Sequence, residues 1–270
     1  MMLTHRPIAR LSYGVGAVRD LPEEVAVALS FNGTTQAVMM ASPADLTDFA
    51  YGFALTEGIA TADQIDRVTI VETVLGIDVQ IWVTPEAEAR LVARRRTMTG
   101  PVGCGLCGID SLEQAMRAVS PVAAQFTMTP DEIKAAIAAL PAAQPLHDTT
   151  RAVHAAGFWQ GELVASREDV GRHNALDKLI GSRVRAYHSA EPAVRAHPTG
   201  AILLTSRVSI DMVQKVAAFG APILIAVSAP TAHAVTLADQ AGITLIALAR
   251  ADGFQAFTHT DRIQEQSHVQ

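Results

Sequence analysis

Residues 201–249 read AILLTSRVSIDMVQKVAAFGAPILIAVSAPTAHAVTLADQAGITLIALA, and the fold turns on this stretch. Three short apolar runs, Ala201 to Thr205, Ile223 to Val227 and Ile243 to Ala249, alternate with two amphipathic segments, Ile210 to Phe219 and Thr231 to Ala241. Runs this short and this apolar read as strands buried on both faces, and the segments between them as helices. The order predicts a parallel sheet with right-handed crossovers and helices on its faces. In such sheets a ligand sits beyond the carboxyl ends of the strands, where helix N-termini present free N–H groups. Thr205-Ser206-Arg207 and Ser228-Ala229-Pro230-Thr231 fall at that edge. Ser206, Ser209 and Ser228 each read singly as helix caps, but together with the Arg207 guanidinium they favour an anionic ligand. No Walker A or GxGxxG pattern accompanies them, so a standard nucleotide-binding fold is not supported.

Working outward, Val153 to Phe158 and Glu162 to Ser166 read as a hairpin around Gln160-Gly161. Asp169 then caps a helix running through Ile180 and ending at Gly181. Thr129-Pro130-Asp131-Glu132 opens an earlier helix carrying Ile133, Ile137 and Leu140, and Pro141 to Pro145 forms a connector. The boundary is placed there: a smaller mixed α+β part over 1–145 and an α/β part over 146–270. In the first part, Ser42-Pro43 reads as an N-cap and first-turn proline for a helix carrying Leu46, Phe49, Ala50, Phe53 and Ala54 up to Gly58. Arg67 to Glu72 and Gly76 to Val83 read as strands, and a further helix is expected from Asp110 to Val119.

Of 270 residues, 49% are hydrophobic and 18% charged, the composition of a globular chain with a real core. The formal net charge of −6 argues against general nucleic-acid coating. Met1 to Ser12 holds no apolar run of the secretory type, and no window reaches the roughly 18 apolar residues of a membrane span. A cytoplasmic protein without membrane partners is expected.

Both cysteines, Cys104 and Cys107, stand in Gly103-Cys104-Gly105-Leu106-Cys107-Gly108. Four chemistries use such a pair. Structural zinc needs two further ligands, and His147, His154 and His173 form no HxxxH-type pair, so no metal is assigned. A zinc deaminase needs an HxE motif, whereas Ala155-Ala156 follow His154. A redox dithiol sits at a strand-to-helix junction, but glycines on both sides of the thiols suit a pliable carrier loop better. In a sulfur relay a thiolate takes sulfur from a donor persulfide and passes it on; a nearby helix N-terminus, and the charges of Arg94, Arg95 and Arg96, would favour the thiolate. Those arginines read equally well as a solvated charged run. His173, between Arg172 and Asn174, could serve a phosphate, shuttle a proton or hold Asp169, whereas Asp177 and Lys178 read as ordinary helix surface.

The sequence resembles the formate dehydrogenase accessory sulfurtransferases, the FdhD family. The likeness rests on Cys104-Gly105-Leu106-Cys107-Gly108, on Glu168-Asp169-Val170-Gly171-Arg172-His173-Asn174-Ala175-Leu176-Asp177-Lys178, and on Thr205-Ser206-Arg207-Val208-Ser209. It extends to Val213-Gln214-Lys215, Ser228-Ala229-Pro230-Thr231 and Phe257-Thr258-His259, and back to Gly52-Phe53 and Thr56-Glu57-Gly58. The resemblance implies a cytoplasmic homodimer whose C-terminal part is a cytidine-deaminase-like three-layer sheet domain. It implies sulfur transfer from an L-cysteine desulfurase to the molybdenum bis(molybdopterin guanine dinucleotide) cofactor, carried as cargo before formate dehydrogenase receives it, with guanine nucleotide as a partial mimic. Cys104 would carry the persulfide and Cys107 be the second thiol. Leu248, Ala249, Arg250, Ala251, Asp252 and Gly253 would contact the cofactor, with Ser206, Arg207, Ser228, Thr231 and His173 facing its nucleotide groups. Two departures stand out: Thr150-Arg151-Ala152-Val153-His154 replaces a Thr-Gly-Gly-x-His pattern, and Ala251-Asp252-Gly253 replaces Gly-Gly-Arg. They leave open a cofactor-binding chaperone that needs no persulfide.

Overall fold

The computed structural model describes residues 8–13, 17–97, 119–189 and 199–264. A hairpin of β1 (Ile8–Tyr13) and β2 (Ala17–Pro22) leads into a four-stranded sheet ordered β4-β3-β6-β5. Its strands are β3 (Val25–Phe31), β4 (Thr34–Ala41), β5 (Ile65–Thr73) and β6 (Gly76–Val83). Asn32 and Gly33, at φ 45 and 78, make the β3–β4 turn, the two-residue hairpin that needs positive φ at both positions. Val25, Val27, Leu29 and Phe31 alternate inward with Ile77, Val79, Ile81 and Val83. They bury their side chains against Phe49, Ala50 and Phe53 of α1 (Leu46–Thr56) and Ala87 and Leu91 of α2 (Pro85–Thr97).

The second sheet is six-stranded and mixed, ordered β12-β11-β10-β9-β7-β8. Its centre is the expected parallel trio β9 (Ala201–Leu204), β10 (Ile223–Ala226) and β11 (Thr244–Arg250). Antiparallel strands flank it: β12 (Gly253–Ala256) on one side, β7 (His154–Trp159) and β8 (Leu163–Asp169) on the other. Alternate residues serve opposite cores. Ile202, Leu204, Leu224 and Leu245 pack under α5 (Arg172–Ser189), α6 (Ile210–Phe219) and α7 (Ala232–Gln240), whereas Leu203, Ile225 and Ile246 pack on α3 (Pro130–Ala139). The result is a helix–sheet–helix sandwich. The Thr129/Glu132 capping box opens α3 as read from sequence, and the short α4 (Pro145–Thr150) follows the connector. Val122, Ala124 and α3 belong to the cores of this sheet, upstream of the 145/146 boundary drawn at the connector.

Three local expectations are corrected. The helix from Arg172 does not end at Gly181 but continues to Ser189. Gly181 instead permits a crossing with α1: a Cβ there would overlap the Asp48 carbonyl oxygen, as one at Gly52 would overlap that of Asp177. Backbone approach this close tolerates only glycine. Ser42 is not the cap of α1, whose N-cap position is Asp45 in the left-handed region at φ 54; Ser42 is buried in a contact with α5 described below. Asp177 and Lys178 are no helix surface: they are 1% and 0% exposed. The helix expected to begin at Asp110 lies outside the described residues apart from Val119, which is not helical.

Candidate functional site

The register of the six-stranded sheet gathers the expected site along one edge. Ala156 pairs with Leu204 and His154 with Asp169, so the start of β7 and the end of β8 meet the carboxyl ends of β9, β10 and β11. The first turns of α5, α6 and α7 follow from the same edge, as strand–helix alternation requires. The loops here are laced together. The Ala155 N–H donates to Thr205 Oγ1 at 2.9 Å, Val208 N–H to the Ala229 carbonyl at 3.2 Å, Thr231 N–H to the Val208 carbonyl at 3.0 Å, and Leu248 N–H to the Ser228 carbonyl at 3.3 Å.

Ser206, Arg207, Ser228, Thr231, Leu248 to Gly253 and His173 therefore all lie on this rim, each in its own way. Thr231 is a cap, its hydroxyl accepting from the Ala234 N–H at 3.2 Å. Ser206 is buried and donates to its neighbour's carbonyl, that of Arg207, at 3.1 Å; it caps nothing. Arg207 is exposed. Leu248 has φ 52, and the β11–β12 register shifts between Ala247 and Arg250, so the backbone here leaves the regular ladder at Leu248. Ala249 is buried, while Arg250, Ala251 and Asp252 are exposed at the turn before Gly253.

His173 does not hold Asp169. It is paired with Asp211 of α6, a residue the sequence reading passed over. Burial works against ionisation of Asp211, yet the hydrogen bond and charge of His173, with help from Ser209 and the backbone, hold its carboxyl well below the usual range. His154 is half-buried, and its pKa is pushed down by burial first and then by the charges of Arg172 and His173. Arg151 adopts φ 59, the left-handed conformation natural to glycine, although its side chain is that of arginine.

Behind the rim lies a polar seam joining α5 to the first sheet. The Asp169 carboxylate accepts from Ser42 N–H at 3.0 Å, Gly171 N–H at 2.8 Å, Asn174 Nδ2 at 3.0 Å and Lys178 Nζ at 2.6 Å. Lys178 also donates to the Ser42 carbonyl and Asn174 to that of Met40. One turn on, Asp177 accepts from Thr56 Oγ1 at 2.8 Å and Lys215 Nζ at 2.9 Å, and Lys215 reaches Glu57 at 3.1 Å. Burial alone would disfavour the Lys215 proton, but the charges of Asp177 and Glu57 raise its pKa above the ordinary lysine value. Asp48 closes the seam between Arg167 and Arg185. A groove of about 390 Å³ lined by Asp45, Leu146, Thr149, Arg167 and Glu168 lies nearby; Arg167 and Glu168 are already bonded within the protein. Cys104 and Cys107 lie outside the described residues, as does Asp110. Arg94, Arg95 and Arg96 fall in the last turns of α2.

Comparison with known proteins shows the family. The FdhD/NarQ family model matches residues 22–264. The chain belongs to that family. The protein named Sulfur carrier protein FdhD from Agrobacterium fabrum is 51% identical over 96% of each chain. Its namesakes from Brucella abortus and Cupriavidus necator are 51% and 47% identical, over 97% and 93% of this chain and 96% and 85% of their own. Among solved structures, that of a candidate formate dehydrogenase accessory protein from Desulfotalea psychrophila superposes with a TM-score of 0.70 at 26% identity, covering 98% of this chain and 99% of that one. No helix among the described residues is long and apolar enough to cross a membrane.

Proposed function

We propose that this protein is a sulfur carrier serving formate dehydrogenase, as the names of its relatives suggest. The Cys104 thiolate attacks the outer sulfur of an L-cysteine desulfurase persulfide; the donor S–S bond breaks, the donor thiolate leaves, and Cys104 holds the persulfide. Cys107 is the second thiol of the loop. The acceptor is the molybdenum bis(molybdopterin guanine dinucleotide) cofactor, handled as cargo, with its nucleotide groups on the rim formed by Ser206, Arg207, Ser228, Thr231 and Leu248 to Gly253. The observation that carries the reading is the near full-length likeness to sulfur carriers in a chain whose two cysteines form a single CxxC. Chain length permits the transfer: Cys104 stands 15 positions before Val119, an extended reach of up to about 50 Å. A seven-residue strand such as β11 spans only about 23 Å.

The sandwich around three parallel strands supports a cytidine-deaminase-like assignment for the larger sheet, and we place the protein in the cytoplasm as a homodimer. Incubation with desulfurase and cysteine should add one sulfane sulfur per chain, read by mass spectrometry, and Cys104→Ala should abolish the gain. A Cys104→Ala, Cys107→Ala variant that still gave full formate dehydrogenase activity would replace this reading with that of a cofactor chaperone.

A further inference from the structure

The turn between β5 and β6 carries the most exposed large apolar side chains among the described residues. Thr73 pairs with Gly76, so Val74 and Leu75 form a two-residue loop, and they stand 86% and 91% exposed. Loops of this length favour Asn, Asp and Gly, as Asn32-Gly33 shows in the same sheet. Two aliphatic side chains here contribute nothing to the core. The loop is nevertheless firmly built: Thr73 Oγ1 donates to the Gly76 carbonyl at 2.8 Å and accepts from the Leu75 N–H at 3.3 Å. A Cβ at Gly76 would overlap the Ala26 carbonyl oxygen, so the base of the hairpin lies tight on β3. Ile70 and Val71, exposed on the edge strand β5, extend the apolar surface. Glu72 beside them is exposed, with no ion pair among the described residues.

We infer that this fingertip docks the protein that receives the cargo, the formate dehydrogenase of the proposed function on which this step rests, by entering an apolar pocket with a basic lip on that partner. The register decides the side of the molecule. β3 runs parallel to β6 with Val27 opposite Ile77, and antiparallel to β4 with Val25 opposite Ala41, so the loop shares an end of its sheet with Met40, Ala41 and Ser42. That end is tied to the first turn of α5 behind the rim: Asn174 Nδ2 donates to the Met40 carbonyl at 2.9 Å, and the Ser42 N–H to Asp169 at 3.0 Å. Two to three strand spacings, about 10 to 14 Å, separate β4 from the loop. A protein held on the loop therefore stands on the rim side of the molecule. Size selects a client over a permanent partner or a second copy: four aliphatic side chains offer less than the about 800 Å² per partner of a stable interface. A loop already fixed before binding loses little entropy on docking. The free carboxylate of Glu72 beside it sets the charge of the lip it meets.

Binding of the full-length protein to the cofactor-free catalytic subunit of formate dehydrogenase, followed by biolayer interferometry, tests this. Val74→Ser combined with Leu75→Ser should weaken the complex by about tenfold or more, with the melting temperature unchanged because both positions lie outside the core. Leu75→Met should keep most of the affinity. Glu72→Lys should slow association, an effect that added salt removes. Sulfur uptake by Cys104 from the desulfurase should be equal in the double variant and the wild type. Equal affinity of both for formate dehydrogenase, or no complex with the wild type, would overturn the fingertip while leaving sulfur transfer standing. Slower sulfur uptake with unchanged formate dehydrogenase binding would move the contact to the donor and overturn the assignment. A halved mass of the double variant in sedimentation would do the same by marking the loop as a contact between two copies. A wild type that bound formate dehydrogenase through Val74 and Leu75 but took up no sulfur would keep the fingertip and end the sulfur reading.

Discussion

The seam and the rim draw on the same stretch of sequence and treat its polar groups in opposite ways. Asn174, Asp177, Lys178, Gly181 and Arg185 recur at helical spacing and face α1 and the chain that leads into it, where the charges of Asp169, Asp177, Lys178 and Lys215 are met by hydrogen bonds at 2.6 to 3.1 Å. Arg172 and His173, in the first turn of the same helix, stand at the sheet edge instead, with His173 against Asp211 of α6. The seam is saturated by partners within the chain, whereas the Arg172 Nε at the rim has none among the described residues. A buried polar group that is fully paired within the chain fixes the structure, whereas one left short of a partner waits for a ligand. The specificity of the Glu168 to Lys178 run therefore comes from two causes, only one of which concerns binding.

The sharpest way to break this contrast is to remove a seam charge. Lys178→Met keeps the volume but strands the Asp169 carboxylate at 0% exposure, and should cost about 3 to 5 kcal/mol in urea unfolding. A loss below about 1 kcal/mol would mean that the seam does not hold the two sheets together. Next comes Gly181→Ala. In an open helix this change gains up to about 1 kcal/mol, but here the new methyl meets the backbone of α1, and a net loss of about 2 to 3 kcal/mol is expected. A stabilised variant would show that the α1–α5 crossing is looser than its geometry.

The parallel trio was legible because strands buried on both faces are unbroken apolar runs; Ile223–Ala226 and Thr244–Arg250 lie within one residue of the expected bounds. The place of Ser206, Arg207, Ser228 and Thr231 on the rim followed from topology, whereas Leu248 to Gly253 came from the family resemblance. The seam did not, because a polar stripe at helical spacing normally marks the solvent face. Asp177 and Lys178 were misread by that rule and Gly181 as a helix stop, since nothing local in the sequence shows that Gly52 of α1 and the Ser42 backbone come against them. The β3–β4 hairpin was missed although Asn32-Gly33 signals it, because the inward positions alternate with small alanines that blur the pattern. Arg172 was quoted in a motif without a role, and that its Nε lacks an acceptor among the described residues is a fact of packing and not of composition.

The pair His173 and Asp211 stands at the border of the two regions, on the rim but saturated like the seam, and it offers the smallest and most specific test. The folded-state pKa of Asp211 is depressed below the unfolded value of about 3.9. Its ionised form therefore stabilises the fold fully above that pH, and the contribution fades as pH falls below about 4, where the unfolded chain takes up the proton first. Asp211→Asn should lower stability by about 1.5 kcal/mol near neutral pH, with the gap to wild type closing in acid. Unfolding curves between pH 3 and 7 read both. A gap that stayed constant down to pH 3 would assign the loss to packing around α6 and remove the charge of Asp211 from the account. A gap that closed on acidification, with GDP binding retained, would sharpen the division: the pair then sets the position of His173, and recognition is left to the donors that have no partner of their own.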